Sequence, residues 1–361
     1  MDKKQRLIGI DLLRGLAIYA VVILHSDEGI LVEPIGWTAI LQFSSFAVPF
    51  FLATSFYLII NKISVSRSHF PWKSRLTRLL IPYGIWSLVY LLQKSIKYLA
   101  KHENDKLVHL FQPASIIFFG GSAFHLYFIP LLLSGTLLVK FAYPLVKKQF
   151  MLQTLIMLFL SSTLIYEILL LSGNSFQIGS SIAFQKLLAA SSPTVNQNPL
   201  IRIFLGELAL LIRCLPYIFM AMILNHSSIS KKISQFKSHA TIVLFCVFLI
   251  VNFYGNLLIP EALYEVGRGY ITLLLAISLS TNLKENHIIA NLGSCSFGIY
   301  LIHLLVVEVF QSLQKKIYDI TDIQVTVFTL LTFSIVSFIV SWMATYLLMK
   351  NKSISKLMFG V

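Results

Sequence analysis

The chain has 361 residues, of which 57% are hydrophobic and 12% are charged. An ordinary soluble domain is about 45–50% apolar and about 25% charged, so this composition argues against a soluble globule and a disordered protein. The formal net charge of +14 does not by itself indicate a nucleic-acid partner, because membrane proteins concentrate Lys and Arg in their cytoplasmic loops. We expect no nucleic-acid binding.

Long apolar segments recur along nearly the whole chain. A helix needs about 20 mostly apolar residues to cross a bilayer. The pattern predicts an all-α polytopic membrane protein with about ten transmembrane helices, in a single domain over residues 1–361 without an appended soluble domain. The longest linkers are expected at 100–123 and 173–202. The predicted spans are 8–26, 37–60, 77–99, 124–143, 150–172, 203–224, 240–259, 264–281, 288–311 and 325–349.

The basic residues between the spans predict the orientation. With the N-terminus inside, the cytoplasmic segments hold twice as many Lys and Arg residues as the outer segments, as expected for inner loops. Both termini are then cytoplasmic. The three cysteines lie far apart in apolar runs and form no Cys-x-x-Cys pair, so they indicate neither a zinc site nor a disulfide framework. We expect no metal site.

The first span carries three ionisable residues, Asp11, Arg14 and His25. Such residues are costly in lipid and usually face a cavity or a partner. At about 100° per residue, Arg14 and His25 lie about 20° apart around the helix, and Asp11 lies within about 60° of Arg14. At about 1.5 Å per residue, Arg14 and His25 are about 16 Å apart along the axis. Gly15 and Ala17 nearby would allow close approach of a helix or ligand.

This spacing allows two interpretations. In the first, Asp11 and Arg14 form a structural ion pair at the inner boundary and His25 is an interfacial residue at the outer end. In the second, the shared face carries chemistry, because three costly residues are aligned on it. The alignment favours the second interpretation.

A second group of candidate residues is Arg75 and Arg78, three residues apart at the inner start of the third span. This spacing puts two guanidinium groups side by side, and guanidinium groups suit phosphate oxygens. A phosphate-rich donor such as a coenzyme A thioester could dock there. Ordinary inner-loop charge explains the same residues and is favoured on spacing alone.

A third group lies in the ninth span, where Tyr300 and His303 share a helix face and Glu308 follows. His303 could be a base, a hydrogen-bond partner or a core residue. Other ionisable residues in or near the spans are expected to be structural more often than catalytic. They are His125, Glu207, Arg213, Glu265 and Arg268.

Six short segments occur in a recognisable order: 10–17 leading to His25, 48–56, 75–78, 124–128, 213–219 and 296–303. Together they resemble the motifs of the membrane-bound acyltransferase 3 family, which are integral-membrane O-acyltransferases that modify surface polysaccharides. In the first motif an Arg-Gly-Leu-Ala run precedes a histidine. Two positions depart from the pattern: Ser55 stands where glycine is usual, and Tyr127 stands where tryptophan is common.

The resemblance implies transfer of an acyl group, most often acetyl, from a cytoplasmic coenzyme A thioester to a sugar hydroxyl. It also implies that His25 and Arg14 are essential and that Arg75 and Arg78 help to hold the donor. No permanently bound cofactor is implied, since acetyl-CoA or another acyl-CoA is a co-substrate. The implied partners are the bilayer and a surface glycan or its lipid-linked precursor, such as lipopolysaccharide O-antigen. The implied location is the bacterial cytoplasmic (inner) membrane.

His25 is our candidate general base for such a transfer. Asp27 or Glu28 orients its ring, or both are solvated loop acids. We assign Arg14 to pairing with Asp11 and to the path of the donor. Direct transfer and a covalent acyl-enzyme relay both fit these residues. The substrate-binding or supporting residues are Tyr300, His303, His125 and Glu28.

Another functional class fits the same pattern. A transporter or export component for a surface polysaccharide would suit ten spans and intramembrane charges equally well. It predicts movement of the glycan without acyl transfer and needs no coenzyme A site. A membrane sensor is a third hypothesis, but no cytoplasmic domain is predicted that would support it.

Overall fold

The computed structural model describes residues 6–28, 33–65, 70–147, 150–173, 184–186, 199–236, 238–321 and 325–361. Every regular element within these residues is helical, and they contain no strand. Nine of the described helical segments are long and apolar enough to cross a bilayer. The protein is therefore an all-α polytopic membrane protein, which confirms the prediction from composition.

Most of the long helices begin and end within about five residues of the predicted limits, but α14 continues ten residues beyond its predicted end at 311. A 3₁₀ turn at Phe124–Tyr127 precedes the seventh helix. In chain order they are α1 Ile8–Leu24, α2 Trp37–Ser44, α3 Ala47–Val65, α4 Trp72–Ala100, α5 Asn104–Leu110, α6 Pro113–Phe119, α7 Phe128–Phe141, α8 Tyr143–Lys147, α9 Leu152–Leu171, α10 Pro199–Asn225, α11 Ser227–Ser234, α12 Ser238–Leu258, α13 Glu261–Ser280, α14 His287–Thr321, α15 Val327–Met349 and α16 Lys352–Phe359.

The first predicted span corresponds to a helix that is just too short to count among the nine qualifying segments. Helix α1 has 17 residues, which is the lower limit of the range of about 17–25 that crosses a bilayer. It is one residue shorter than Phe124–Phe141, the shortest of the nine segments that qualify by length. Most of its residues are buried, because α14 and α15 pack along it. Protein therefore surrounds much of this short helix.

The second predicted span is broken into two helices. Helix α2 ends at Ser44, and α3 begins at Ala47. The Ser45 hydroxyl donates to the Gln42 carbonyl at 2.5 Å, which satisfies a carbonyl at the end of α2. Pro49 stands in the first turn of α3, where its missing N–H leaves no interior helical bond unmade. The span keeps its predicted position but has a polar interruption between Ser44 and Ala47.

The segment 100–123, which we expected to be a linker, contains two short helices, α5 and α6. Gly120 ends α6 with a positive φ of 72°, a conformation that glycine adopts without steric cost. The Tyr83 hydroxyl donates to the Ile116 carbonyl and accepts from the Gly120 N–H. The linker is thus tied back to α4. The other predicted linker, 173–202, lies mostly outside the described residues.

The chain divides into two compact units. The first comprises Met1–Thr54, Ser230–Ile259 and Tyr264–Ser355, and the second comprises Ser55–Ile229, Pro260–Leu263 and Lys356–Val361. In the first unit, α1 packs on α14 and α15, and α2 packs on α1 and α12. The single-domain organisation that we predict from the sequence stays a prediction.

In the second unit, α10 packs against α9 and α7. Tyr166 and Leu169 of α9 are buried together with Ala209 of α10 and with Ala262. The Glu167 carboxylate accepts the backbone N–H of Ala262 at 2.8 Å, so a polar contact closes the edge of this apolar cluster.

Four of the described helices present many apolar side chains outward. In the most apolar windows of α4, α9, α12 and α15, only 33%, 33%, 17% and 22% of the residues are buried. Exposed side chains on α12 include Ile242, Phe245, Ile250 and Leu257. Apolar surface of this extent indicates contact with a membrane, so the bilayer is a partner of the protein.

Candidate active site

His25 lies directly after the last residue of α1, and the chain turns there so that Glu28 contacts its ring. His25 Nδ1 is 2.7 Å from Glu28 Oε1. Because a carboxylate accepts and an imidazole N–H donates, this contact assigns the proton of a neutral His25 ring to Nδ1 and the lone pair to Nε2. The His25 side chain is 19% exposed, so a substrate can approach it. This is the arrangement that a general base needs.

The neighbouring acid, Asp27, has a different partner. Trp37 Nε1 donates to Asp27 Oδ2 at 2.9 Å, and the Trp37 ring is buried with Ile23 and Leu330. Asp27 therefore holds the start of α2 against the end of α1. Of the two acids that could orient His25, Glu28 is the one in contact with it.

Helix α14 brings two further predicted residues to His25. The ring centroids of His25 and His303 are 5.4 Å apart, with an angle of 33° between the planes. His303 is fully buried, and its Nδ1 donates to the Tyr300 carbonyl at 2.7 Å. The rings of Tyr300 and His303 are 6.1 Å apart, which confirms that they share a face. Gln311 Nε2 donates to the His25 carbonyl at 3.1 Å, so α14 contacts both the ring and the backbone of His25.

The N-terminal end of α1 has a separate polar cluster. Arg6 Nε donates to Asp11 Oδ2, while Arg6 Nη2 donates to the Ala290 carbonyl at 2.8 Å and to Ser294 Oγ at 2.9 Å. We expected Asp11 to pair with Arg14, and this was wrong: its ion-pair partner is Arg6. The side chain of Arg6 can reach both Asp11 and α14, since it precedes the first turn of the helix.

Close packing of α1 on α14 explains why Asp11 lies so near the neighbouring backbone. A Cβ atom at Gly293 would overlap the Cβ and Oδ1 atoms of Asp11. A Cβ atom at Gly15 would overlap the side chain of Leu292. The absence of side chains at these two positions therefore lets the helices approach closely, as we expected for Gly15.

Arg14 lies one turn above Asp11 on α1 and is half-buried. Its guanidinium forms no hydrogen bond or ion pair with any residue that the structure describes. Arg14 and His25 are still about 16 Å apart on the same helix. Arg14 is therefore too far from His25 to act on the same atom of a small substrate.

The predicted donor-binding residues belong to the second unit. Arg75 is half-buried and Arg78 is exposed, both near the start of α4. The chain passes closely here, because a Cβ atom at Gly360 would overlap the backbone of Arg78. Trp86 Nε1 donates to the Met358 carbonyl at 2.9 Å, so residues 356–361 lie along α4 beside this arginine.

His125 also belongs to the second unit, within the 3₁₀ turn that precedes α7. Only 3% of it is exposed. Its ring centroid is 4.9 Å from that of Tyr90, edge to face, and 6.0 Å from that of Phe124. These aromatic contacts fit a supporting role.

Glu207, which we expected to be structural, has a partner that fits this role. Glu207 of α10 accepts from Ser134 Oγ of α7 at 3.1 Å, which joins two helices of the second unit. Arg213 of α10 is buried.

Sequence reasoning did not identify Arg6, Gln311 or Gly293 as parts of these clusters. Arg6 was assigned to inner-loop charge, although its position five residues before Asp11 was a usable signal. Gln311 is a polar residue two turns beyond His303, on a helix whose length the apolar pattern underestimated. Gly293 carries no chemical signal at all, and only packing shows its role.

The comparisons with known proteins bear on this arrangement. The model of the Acyl_transf_3 family, described as an acyltransferase domain, matches residues 7–346. The match includes Asp11, Arg14, His25, Arg75, Arg78, His125, Tyr300 and His303 and covers nearly the whole chain. No curated protein and no solved structure matches the chain significantly. The chain belongs to the acyltransferase 3 family of membrane acyltransferases.

Proposed function

We propose that this acyltransferase moves an acyl group, acetyl in the first instance, from acyl-CoA to a hydroxyl of a surface glycan. The acceptor is a cell-surface polysaccharide or its lipid-linked precursor, with lipopolysaccharide O-antigen as the preferred example. The bacterial cytoplasmic membrane is the proposed location, with both termini in the cytoplasm. The observation that carries the proposal is the 2.7 Å contact between His25 Nδ1 and Glu28 Oε1.

His25 serves as the general base. Its Nε2 removes the proton from the acceptor hydroxyl while that oxygen bonds to the thioester carbonyl carbon. The carbon–sulfur bond then breaks, and the proton passes from the imidazolium to the departing thiolate, so that coenzyme A leaves as a free thiol. General-base help of this kind contributes about 10²–10⁴-fold to the rate.

Glu28 and the rings of α14 prepare His25 for this step. The carboxylate of Glu28 fixes the tautomer and stabilises the imidazolium that forms, as the acid of a catalytic triad does. His303 packs 5.4 Å from the His25 ring and is itself held by the Tyr300 carbonyl. Glu28 and His303 together restrict the rotation of the His25 ring. Orientation of a reacting group in this way lowers the entropic cost of the reaction.

We assign binding of the acyl-CoA donor to arginines on the proposed cytoplasmic side of the protein. Arg14 is a half-buried cation whose guanidinium can donate to the phosphate or pantetheine oxygens of acyl-CoA. In the second unit, Arg75 and Arg78 form a pair of guanidinium groups that we also assign to the donor phosphates. The distance of about 16 Å along α1 between Arg14 and His25 matches an extended pantetheine arm better than a compact substrate.

The test compares the surface glycan of cells that express the protein with that of cells that lack it. Mass spectrometry of the glycan should show acetyl increments only when the protein is present. The purified protein, reconstituted in lipid, should consume acetyl-CoA and release free thiol only when an acceptor glycan is added. Glycan that is missing from the surface but still acetylated would support an export component instead and would contradict the proposal.

A further inference from the structure

Arg268 is a buried cation in the first unit, apart from the residues assigned to acyl transfer. It lies on α13, and only 8% of it is exposed. Within the described part of the chain, no carboxylate forms an ion pair with it. A buried charge without a counterion is strongly unfavourable, so this position needs an explanation beyond ordinary packing.

The partners that Arg268 does have are neutral and lie on one side of its guanidinium. Nη1 donates to Ser45 Oγ at 2.5 Å and to the Tyr264 hydroxyl at 2.9 Å. The guanidinium carbon also lies 4.5 Å from the centroid of the Tyr264 ring, a cation–π contact. These contacts orient the group but do not neutralise its charge.

The other edge of the guanidinium is unused. Arg268 Nε is buried and has no hydrogen-bond partner, and Nη2 makes no hydrogen bond to any described residue. Nε and Nη2 point their N–H bonds in parallel on the same edge. That fork matches two oxygens of a phosphate or carboxylate.

The surrounding network contains further unsatisfied polar atoms. The Tyr264 hydroxyl donates to the Asn252 carbonyl at 3.2 Å, and Asn252 Nδ2 donates to the Phe43 carbonyl at 2.7 Å. Asn252 Oδ1 and Ser44 Oγ are buried without a hydrogen-bond partner. Buried polar groups are nearly always hydrogen-bonded. The break between α2 and α3 is thus lined by buried polar groups whose missing hydrogen bonds a polar ligand would supply.

Arg268 lies nearer to one end of α13 than to the other. It is seven residues from Glu261, the first residue of this 20-residue helix, which corresponds to about 10 Å along the helix axis. The phosphates of membrane lipids lie at the boundary of the hydrocarbon core. A phosphate that binds the buried fork must therefore reach inward from that boundary by about one third of the length of α13.

We propose that Arg268, supported by Ser45 and Tyr264, is a binding site for a phosphate group at the break between α2 and α3. The phosphate is carried by a membrane lipid or is free in solution, and the chemistry of recognition is the same for both. The site does not depend on the acyl-transfer mechanism, and its test needs no acyl donor or acceptor.

The experiment measures thermal unfolding of the full chain, purified in lipid-depleted detergent, at constant ionic strength. The probes are inorganic phosphate and phosphatidic acid, with chloride and diacylglycerol as phosphate-free comparators. The variants are Arg268→Gln and Arg202→Gln, since Arg202 is an exposed arginine on α10 that receives the same substitution. The comparison between variants removes the general salting-out effect of phosphate.

A ligand that binds the native state raises Tm with its concentration. We expect inorganic phosphate, phosphatidic acid or both to raise the Tm of the wild type and of Arg202→Gln. Arg268→Gln should weaken that effect by about tenfold or more in concentration, as expected for loss of a charge-assisted bidentate contact. A response to phosphatidic acid alone would identify a lipid source, and a response to inorganic phosphate would identify a soluble one.

If Arg268→Gln does not fold, Arg268→Lys takes its place, because lysine keeps the charge and lacks the fork. It should also lose the response. An equal response in wild type and in the Arg268 variants would overturn the proposal. So would a wild type that responds no more to the two phosphate probes than to chloride and diacylglycerol, since buried water or packing alone would then satisfy Arg268.

Discussion

Ionisable pairs lie at both ends of α1, and they differ in how far they are buried. At the N-terminal end, the Asp11 carboxylate is buried and Arg6 bonds to it and to α14. At the C-terminal end, the His25 imidazole is partly exposed and the Glu28 carboxylate contacts one of its nitrogens. The N-terminal pair links two helices, whereas the C-terminal pair leaves the His25 ring accessible.

Replacement of His25 should have the largest effect. His25→Ala removes the general base, so acyl transfer should fall by about 10²–10⁴-fold while the protein still inserts and folds. The measurement is thiol release from acetyl-CoA by the reconstituted protein. His239→Ala is the matched control, because His239 is exposed at the start of α12. Transfer that survives in His25→Ala would remove His25 from the mechanism.

Substitutions of the two neighbouring acids, Glu28 and Asp27, should affect different properties: the first should lower kcat and the second should lower Tm. Glu28→Gln leaves the His25 ring without its carboxylate, so kcat should fall on the order of 10-fold or more, with little change in Tm. Asp27→Asn weakens the contact with Trp37 and should lower Tm while leaving kcat close to that of the wild type. Identical behaviour of the two variants would contradict the different roles assigned to these acids.

Substitutions at the N-terminal end of α1 and its contact with α14 should affect stability more than acyl transfer. Gly293→Ala puts a Cβ atom into Asp11, and overpacking of this kind costs about 1–3 kcal/mol. We expect a lower unfolding temperature in detergent. Gly84→Ala is the control, because no atom lies within 4 Å of the Cβ it would add, and alanine is the better helix former. A Gly293→Ala protein as stable as the wild type would show that α1 and α14 separate easily.

The smallest effect is expected from replacement of Arg78, the exposed arginine near the start of α4. Arg78→Gln removes one charge-assisted contact to the donor phosphates, so KM for acetyl-CoA should rise by about tenfold or less, with kcat largely unchanged. Lys73→Gln, which removes an exposed charge one turn earlier, controls for local charge alone. Equal shifts in the two variants would assign Arg78 to ordinary inner-loop charge.

Several features of the fold and the site were predictable because they depend on neighbours along the chain. The apolar runs predicted where the helices lie, and the turn angle of a helix placed Tyr300 and His303 on one face. Other features were not predictable. The break at Ser45 depends on a single turn within a continuous apolar run, and α5 and α6 are too short and polar to stand out in segment 100–123.

Contacts between distant segments explain the remaining differences between the partners predicted from the sequence and those in the structure. Asp11 could pair with Arg14 by helical spacing, but Arg6 also reaches α14 and so gains two further hydrogen bonds. Asp27 and Glu28 are equivalent in sequence, yet the position of Trp37 directs one of them to α2 and leaves the other for His25. Sequence spacing treats such alternatives as equal, whereas packing distinguishes them.

The sequence by itself determined that this is a helical membrane protein, approximately where its helices lie, and that Tyr300 and His303 share a face, because hydropathy and helical periodicity act over short distances along the chain. Only the tertiary structure decided that His303 lies beside His25, that Glu28 contacts it, and that Arg268 is buried without a counterion. Those relations depend on which helices pack together, and that packing is set by the shape of whole helix faces, including glycines such as Gly293 that carry no chemistry of their own.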